Sequence, residues 1–309
     1  MHGAEATLRP EDDDFHVPTS DDPLWSETTW FSFTVPERNM QGYVYPWVRP
    51  NQGLLGGGVW IWDDSGHQPW DVPFYENQYN IPYPKLGDLR DVEFPNGISI
   101  RCTKPLMTYD VGYRHPDLDL QFTFDATMEP HVLSKGGPNL FAGHVDQPGR
   151  VFGRMNLRGE EIAFDCHAIR DRSWGPRVED KGLRMAYSHG QAAHGSFLAF
   201  AYPDLDDAPV TMGYLQRDGE SATLVSGRRV VERPGDYVTR VVIEGKDSLG
   251  REFETEGTTV SRMSFTNIPW MFNWCSLTKW DFDGAQAWGE DQDVWHLDKW
   301  RQFKRSRGS

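Results

Sequence analysis

Between Asp165 and Arg177 the chain reads Asp-Cys-His-Ala-Ile-Arg-Asp-Arg-Ser-Trp-Gly-Pro-Arg, a stretch that gathers carboxylates, an imidazole, guanidinium groups and an indole. Such a set can move protons. Guanidinium groups lower a neighbouring carboxyl pKa and keep it a base, whereas burial against an indole raises it and makes it a donor. Asp171 is where these effects meet, because it lies between Arg170 and Arg172 and close to Trp174 and Arg177. If residues 163–171 form a strand, alternation puts Asp165, His167, Ile169 and Asp171 on one side and Phe164, Cys166, Ala168 and Arg170 on the other. Gly175-Pro176 should then end or turn that strand and set Trp174 at its mouth. The chemistry this suggests is protonation of an alkene, or removal of a proton beside a carbonyl, in an apolar chamber whose aromatic faces steady a developing cation. In that reading Asp171 is the general acid or base, His167 relays or orients its proton, Trp174 packs against substrate and Arg177 fixes Asp171.

A second tier of residues is expected to bind substrate: His144 and Gln147 just before a strand, Asp165, Trp25 and Glu27, and Tyr187 on a later strand. No metal is expected. His189 and His194 lack helical register, and Cys166 falls on the strand face opposite Asp165 and His167. No Gly-x-Ser-x-Gly elbow, Walker loop or strand-linked Gly-x-Gly-x-x-Gly motif is present, so no cofactor is expected. Gly56-Gly57-Gly58 precedes a strand, the wrong context for phosphate.

The elements that must hold these residues read as short strands broken by Gly, Pro, Asp and Asn clusters. Leu118–Ala126 alternates apolar and polar almost without error, the pattern of a strand with one buried face. Asp218-Gly219, Leu249-Gly250 and Asp283-Gly284 supply the positive backbone angles of tight hairpins. Residues 69–89, with four prolines among aromatics, suit a long ordered loop or lid. After Asp291, acids come first and Lys299, Arg301, Lys304 and Arg305 later, which predicts a short carboxy-terminal helix. The predicted fold class is all-β, with an antiparallel meander that can close as a barrel or pack as a sandwich.

The 309 residues exceed one ordinary core, and two domains are favoured, with the junction at residues 128–142. The net charge of −15 argues against binding nucleic acid or an anionic membrane through bulk electrostatics. Three distant cysteines fit reduced thiols, no stretch is apolar for long enough to span a membrane, and a cytoplasmic location is the expectation. Oligomerisation is left open.

Arg170-Asp171-Arg172-Ser173-Trp174-Gly175-Pro176-Arg177, with His144-Val145-Asp146-Gln147-Pro148-Gly149-Arg150-Val151-Phe152-Gly153 before it, resembles a bacterial group related to the carotenoid 1,2-hydratases and the AttH-like tandem lipocalin-fold proteins. The pattern of that group has a histidine where this chain has Arg172. The resemblance implies two lipocalin-like antiparallel β-barrels in tandem. Residues 1–20 would be a flexible leader, 21–140 the first barrel, and 141–309 the second barrel with its terminal helix. It further implies cofactor-free addition or removal of water, or cyclisation, on a hydrophobic terpenoid, steroid or polyketide-like molecule, with Asp171, His167 and Trp174 in the reacting positions. A noncatalytic carrier of a lipophilic ligand and a carbohydrate-active β protein are the competing readings.

Overall fold

The computed structural model describes residues 8–133, 143–177, 184–202, 206–266, 268 and 270–307. Its strands sort into two sheets, and Cα proximity divides the chain into two units: Met1–Val35, Gly42–Ile61 and Phe74–Val178, and Pro36–Gln41, Trp62–Pro73 and Glu179–Ser309. The fold is all-β with one terminal α-helix.

The first sheet contains β1 (Trp25–Val35), β2 (Met40–Arg49), β3 (Leu54–Trp62), β4 (Phe74–Pro82), β5 (Asp91–Glu93), β6 (Ile98–Lys104), β7 (Thr108–His115), β8 (Leu118–Ala126), the short β9 (His131–Val132), β10 (Gly143–Leu157) and β11 (Glu160–Pro176). Its order is β4-β3-β2-β1-β11-β10-β8-β7-β6-β5, with β9 on β10, so it curls without closing. Phe31, Phe33, Phe122, Phe124, Phe164 and Tyr109 fill its inner face, and their edge-to-face and tilted contacts are the arrangement aromatic quadrupoles favour. The second sheet is a closed barrel of β12 (Arg184–Ala192), β13 (Gly195–Ala201), β14 (Asp207–Arg217), β15 (Glu220–Glu232), β16 (Arg240–Asp247), β17 (Glu252–Phe265), β18 (Met271–Phe282) and β19 (Ala285–His296). Phe197, Val241, Ile243, Phe253, Trp280 and Phe282 form its core. The helix α1 (Leu297–Arg307) rests Trp300 and Phe303 on Trp295.

The Asp-Gly hairpins form as read: Asp218, Gly219, Asp283 and Gly284 all have positive φ. Five features differ from the sequence reading. The break between sheets falls after Pro176, not at residues 128–142, because β10 and β11 pair with β8 and β1 and complete the first sheet. That sheet is open rather than a closed barrel. Residues 8–20 are not a loose leader, since Asp13 is buried and hydrogen-bonded within the first unit. The presumed loop at 69–89 contains the edge strand β4, paired with β3. The helix begins at Leu297, since residues 291–296 are held in ladders with β12 and β18.

The glycine triplet lies inside β3, where the register with β4 shifts between Leu55 and Gly57. Gly57 has φ +90°, and an added Cβ would lie 1.9 Å from the Tyr45 carbonyl oxygen. Gly57→Ala should therefore lower stability by at least about 1–3 kcal/mol, read as a fall in the denaturation midpoint at unchanged m-value.

Among the described residues, no helix is long and apolar enough to cross a membrane.

Candidate active site

β11 is an inner strand with β10 on one side and β1 on the other, so the register fixes the neighbours of each of its residues. Asp171 lies opposite Asp146 and Trp30, and Ser173 opposite His144 and Thr28. Directly opposed residues of an antiparallel ladder share a face. These six side chains therefore stand on one side of the sheet.

His144 Nε2 is 3.0 Å from Asp146 Oδ2, and atoms of His144, Asp146 and Asp171 all lie within 4.8 Å of one another. His144 and Asp146 are buried, and Asp171 is the least deeply buried of the three. Asp171 Oδ1 is buried and accepts no hydrogen bond among the described residues. Beside the cluster, Ser173 Oγ is 2.7 Å from Thr28 Oγ1 and accepts a 2.8 Å bond from Arg177 Nη2.

Burial pushes the Asp171 carboxyl up to about 7, and the Asp146 carboxylate adds to the rise, while His144, Arg177 and Arg170 pull it down. Burial alone disfavours the His144 cation, but the charge and hydrogen bond of Asp146 outweigh it and raise its pKa. Near neutrality the cluster thus holds an exchangeable proton on the Asp171 carboxyl. Three donors within 4.8 Å also satisfy the spacing of a small cation, a grouping that the sequence reading, which expected no metal, did not foresee. The 3.0 Å His144–Asp146 separation is that of a hydrogen bond, and the Arg177 charge bears on both His144 and Asp171. These features suit a proton better than a metal ion.

An aromatic row extends from the cluster across β1, β2 and β3. Trp30 meets Tyr43 edge-to-face at 4.9 Å, and Tyr43 meets Trp60 at 6.1 Å.

His167 is not placed to relay a proton. It shares the face of Asp171 but stands four residues away along the strand, roughly 13 Å, opposite Arg150. Burial holds its pKa below the usual value. Asp165 is exposed and paired with Arg150, which lowers its pKa. Trp174 alternates onto the opposite face, fits against Gly143 and stacks on His16 at 3.9 Å. Glu27 and Gln147 are buried on that same inner face. Glu27 binds Arg172 and His16 Nδ1, while Gln147 accepts from Arg170 Nε at 2.6 Å and donates to the carbonyls of Leu106 and Met128. Trp25 is buried opposite Pro176. Tyr187 belongs to the second unit, where it packs against Phe200 and His189. Of the ten residues singled out by sequence, the structure gathers Asp171 and His144, with Arg177 near them; Asp146 and Trp30 were missed. Strand alternation in His144-Val145-Asp146 was the available signal for Asp146. An open groove of about 740 Å³ on the outer face of β5–β8 and β10, lined by Arg101, Asp110, Arg114 and Phe152 among others, does not include this cluster.

The profile of a domain of unknown function, DUF7064, matches residues 9–290. The chain belongs to the DUF7064 family. No curated protein matches it. In three dimensions it is similar to an AttH candidate from Nitrosomonas europaea, with TM-score 0.61 and 15% identity over 94% of this chain and 97% of that one. It is also similar to CghA, with TM-score 0.55 and 12% identity over 96% and 97%. For kievitone hydratase from Nectria haematococca the TM-score is 0.51, with 10% identity over 94% and 93%. At these identities the likeness concerns the fold. This DUF7064 chain therefore shares a tandem lipocalin architecture with them.

Proposed function

We propose that this protein is a cofactor-independent lyase or isomerase that adds or removes water, or closes a ring, on a hydrophobic substrate, with Asp171 as its general acid. The observation that carries this reading is the Asp171 carboxyl, poised near 7 within a buried His-Asp-Asp cluster. In the hydration direction, protonated Asp171 gives its proton to one alkene carbon and the other becomes cationic. A water oxygen bonds to that carbon, and a proton from that water returns to the Asp171 carboxylate. Acid is regenerated and only water is consumed; elimination is the reverse. His144 and Asp146 set the proton affinity of Asp171, and the row beginning at Trp30 offers π faces to positive charge. That one structural neighbour bears the name hydratase supports the class, and substrates in the terpenoid, steroid or polyketide range fit the aromatic surroundings.

The test is to incubate the purified protein with a panel of lipophilic alkenes and their hydrated counterparts in ¹⁸O-water, and follow products by mass spectrometry. Gain or loss of one water, or an unchanged mass with altered retention, supports the reading when Asp171→Asn lacks it. A compound that co-purifies unchanged would favour a carrier. His144→Ala should lower turnover and move the alkaline limb of the pH–rate profile upward, because the His144 charge pulls the Asp171 pKa down. His167→Ala should leave both unchanged.

A further inference from the structure

Behind the catalytic face, a second cluster occupies the inner side of β11. Asp13 sits at the end of a short 3₁₀ turn, Pro10–Asp13, ahead of the sheet, and its side chain is buried among strand residues. Its Oδ1 accepts the Tyr109 hydroxyl at 2.6 Å, and its Oδ2 accepts the Leu106 N–H and, at 3.5 Å, the Cys102 thiol. The Arg170 and Arg172 guanidinium groups each approach to 3.9 Å and are themselves buried. We propose that Arg170, Arg172, Tyr109 and the Leu106 N–H form a carboxylate-binding site that the amino-terminal segment fills with its own Asp13, and that a free carboxylate can take that place.

The cradle is held by the sheet and not by its occupant. Arg170 is fixed by Gln147 at 2.6 Å and lies 4.2 Å over the Tyr109 ring; Arg172 is tied to Glu27. Without Asp13, two buried cations face the single Glu27 carboxylate, and an unpaired buried charge is strongly unfavourable. An anion with two oxygens answers both the charge and the hydrogen bonds. Asp12 and Asp14 also lend backbone carbonyls to Arg172, so the segment keeps a foothold when the Asp13 side chain is removed.

Full-length Asp13→Ala, Asp13→Asn and wild type are compared in sodium formate and in sodium chloride at equal ionic strength. Formate should raise the Tm of Asp13→Ala saturably, by about 2–4 °C or more, and the formate proton resonance should broaden in its presence. Wild type, with the site filled, and Asp13→Asn, whose amide occupies the same space, should show neither effect. A decanoate arm separates a site open to chain-bearing acids from one limited to small acids, and a response to either upholds the proposal. Equal responses to chloride and formate, equal responses in all three proteins, or an Asp13→Ala protein that stays unfolded in formate would overturn it.

Discussion

Asp171→Asn is expected to reduce turnover by roughly 10²–10⁴-fold while making the folded protein more stable above neutral pH. The second half distinguishes a poised acid from a structural carboxylate. The folded Asp171 pKa of about 7 exceeds its unfolded value near that of a free carboxyl. Between those values the native state binds more protons than the unfolded one. The stability tied to Asp171 is thus fully present below about pH 4 and is lost as pH rises through about 7. The amide does not ionise, so the variant escapes that loss. Its gain over wild type should be on the order of 4 kcal/mol at pH 8 and shrink to a few tenths near pH 4, measured by urea titrations at the two pH values. A variant destabilised at pH 8 would show that Asp171 serves the fold as an anion, and the proposed acid role would fall.

The largest loss of stability is expected in the barrel, at Arg229. On the core face opposite Ile243, Arg229 Nη2 reaches Asp291 Oδ1 and Oδ2 at 2.8 and 2.6 Å, and Ser188 Oγ donates to Asp291 at 2.6 Å. Both charged residues are 1% exposed. Arg229→Ala strands a buried carboxylate and should cost about 3–5 kcal/mol, whereas the double variant Arg229→Met, Asp291→Leu removes both charges and should recover most of it. Thermal unfolding of the single and double variants measures this directly. A double variant no better than the single one would locate the loss in packing rather than in the unpaired charge.

Local patterns exposed much of this architecture. Alternation in Leu118–Ala126, the Asp-Gly turns and the charge order after Asp291 are readable because each is decided within a few residues. What escaped depends on pairing across long stretches of chain. His144 and Asp146 meet Asp171 only because β10 and β11 are in one register, and Trp30 joins them from more than 110 residues earlier in the chain. The alternation that groups His167 with Asp171 on one face says nothing of the distance along a strand, so sequence alone favours the nearer imidazole over His144. β4 was hidden by prolines, which an edge strand tolerates because one side of its backbone carries no ladder. Asp13 gave no signal, since an acid in an acidic leader looks solvated until Arg170 and Arg172 are seen behind it.

The β1–β11 ladder constrains how this chain comes into being. A nascent polypeptide emerges from its amino-terminal end, yet β1 has no partner on its β11 side until residues up to Pro176 have been made. Until then the aromatic inner faces of β1 and β8 and their unpaired backbone edges stay open to self-association. The loop-closure entropy of so distant a pairing also slows the final step. A fragment cut near residue 140 would be frozen at that stage, so expression of the amino-terminal unit calls for a boundary beyond β11.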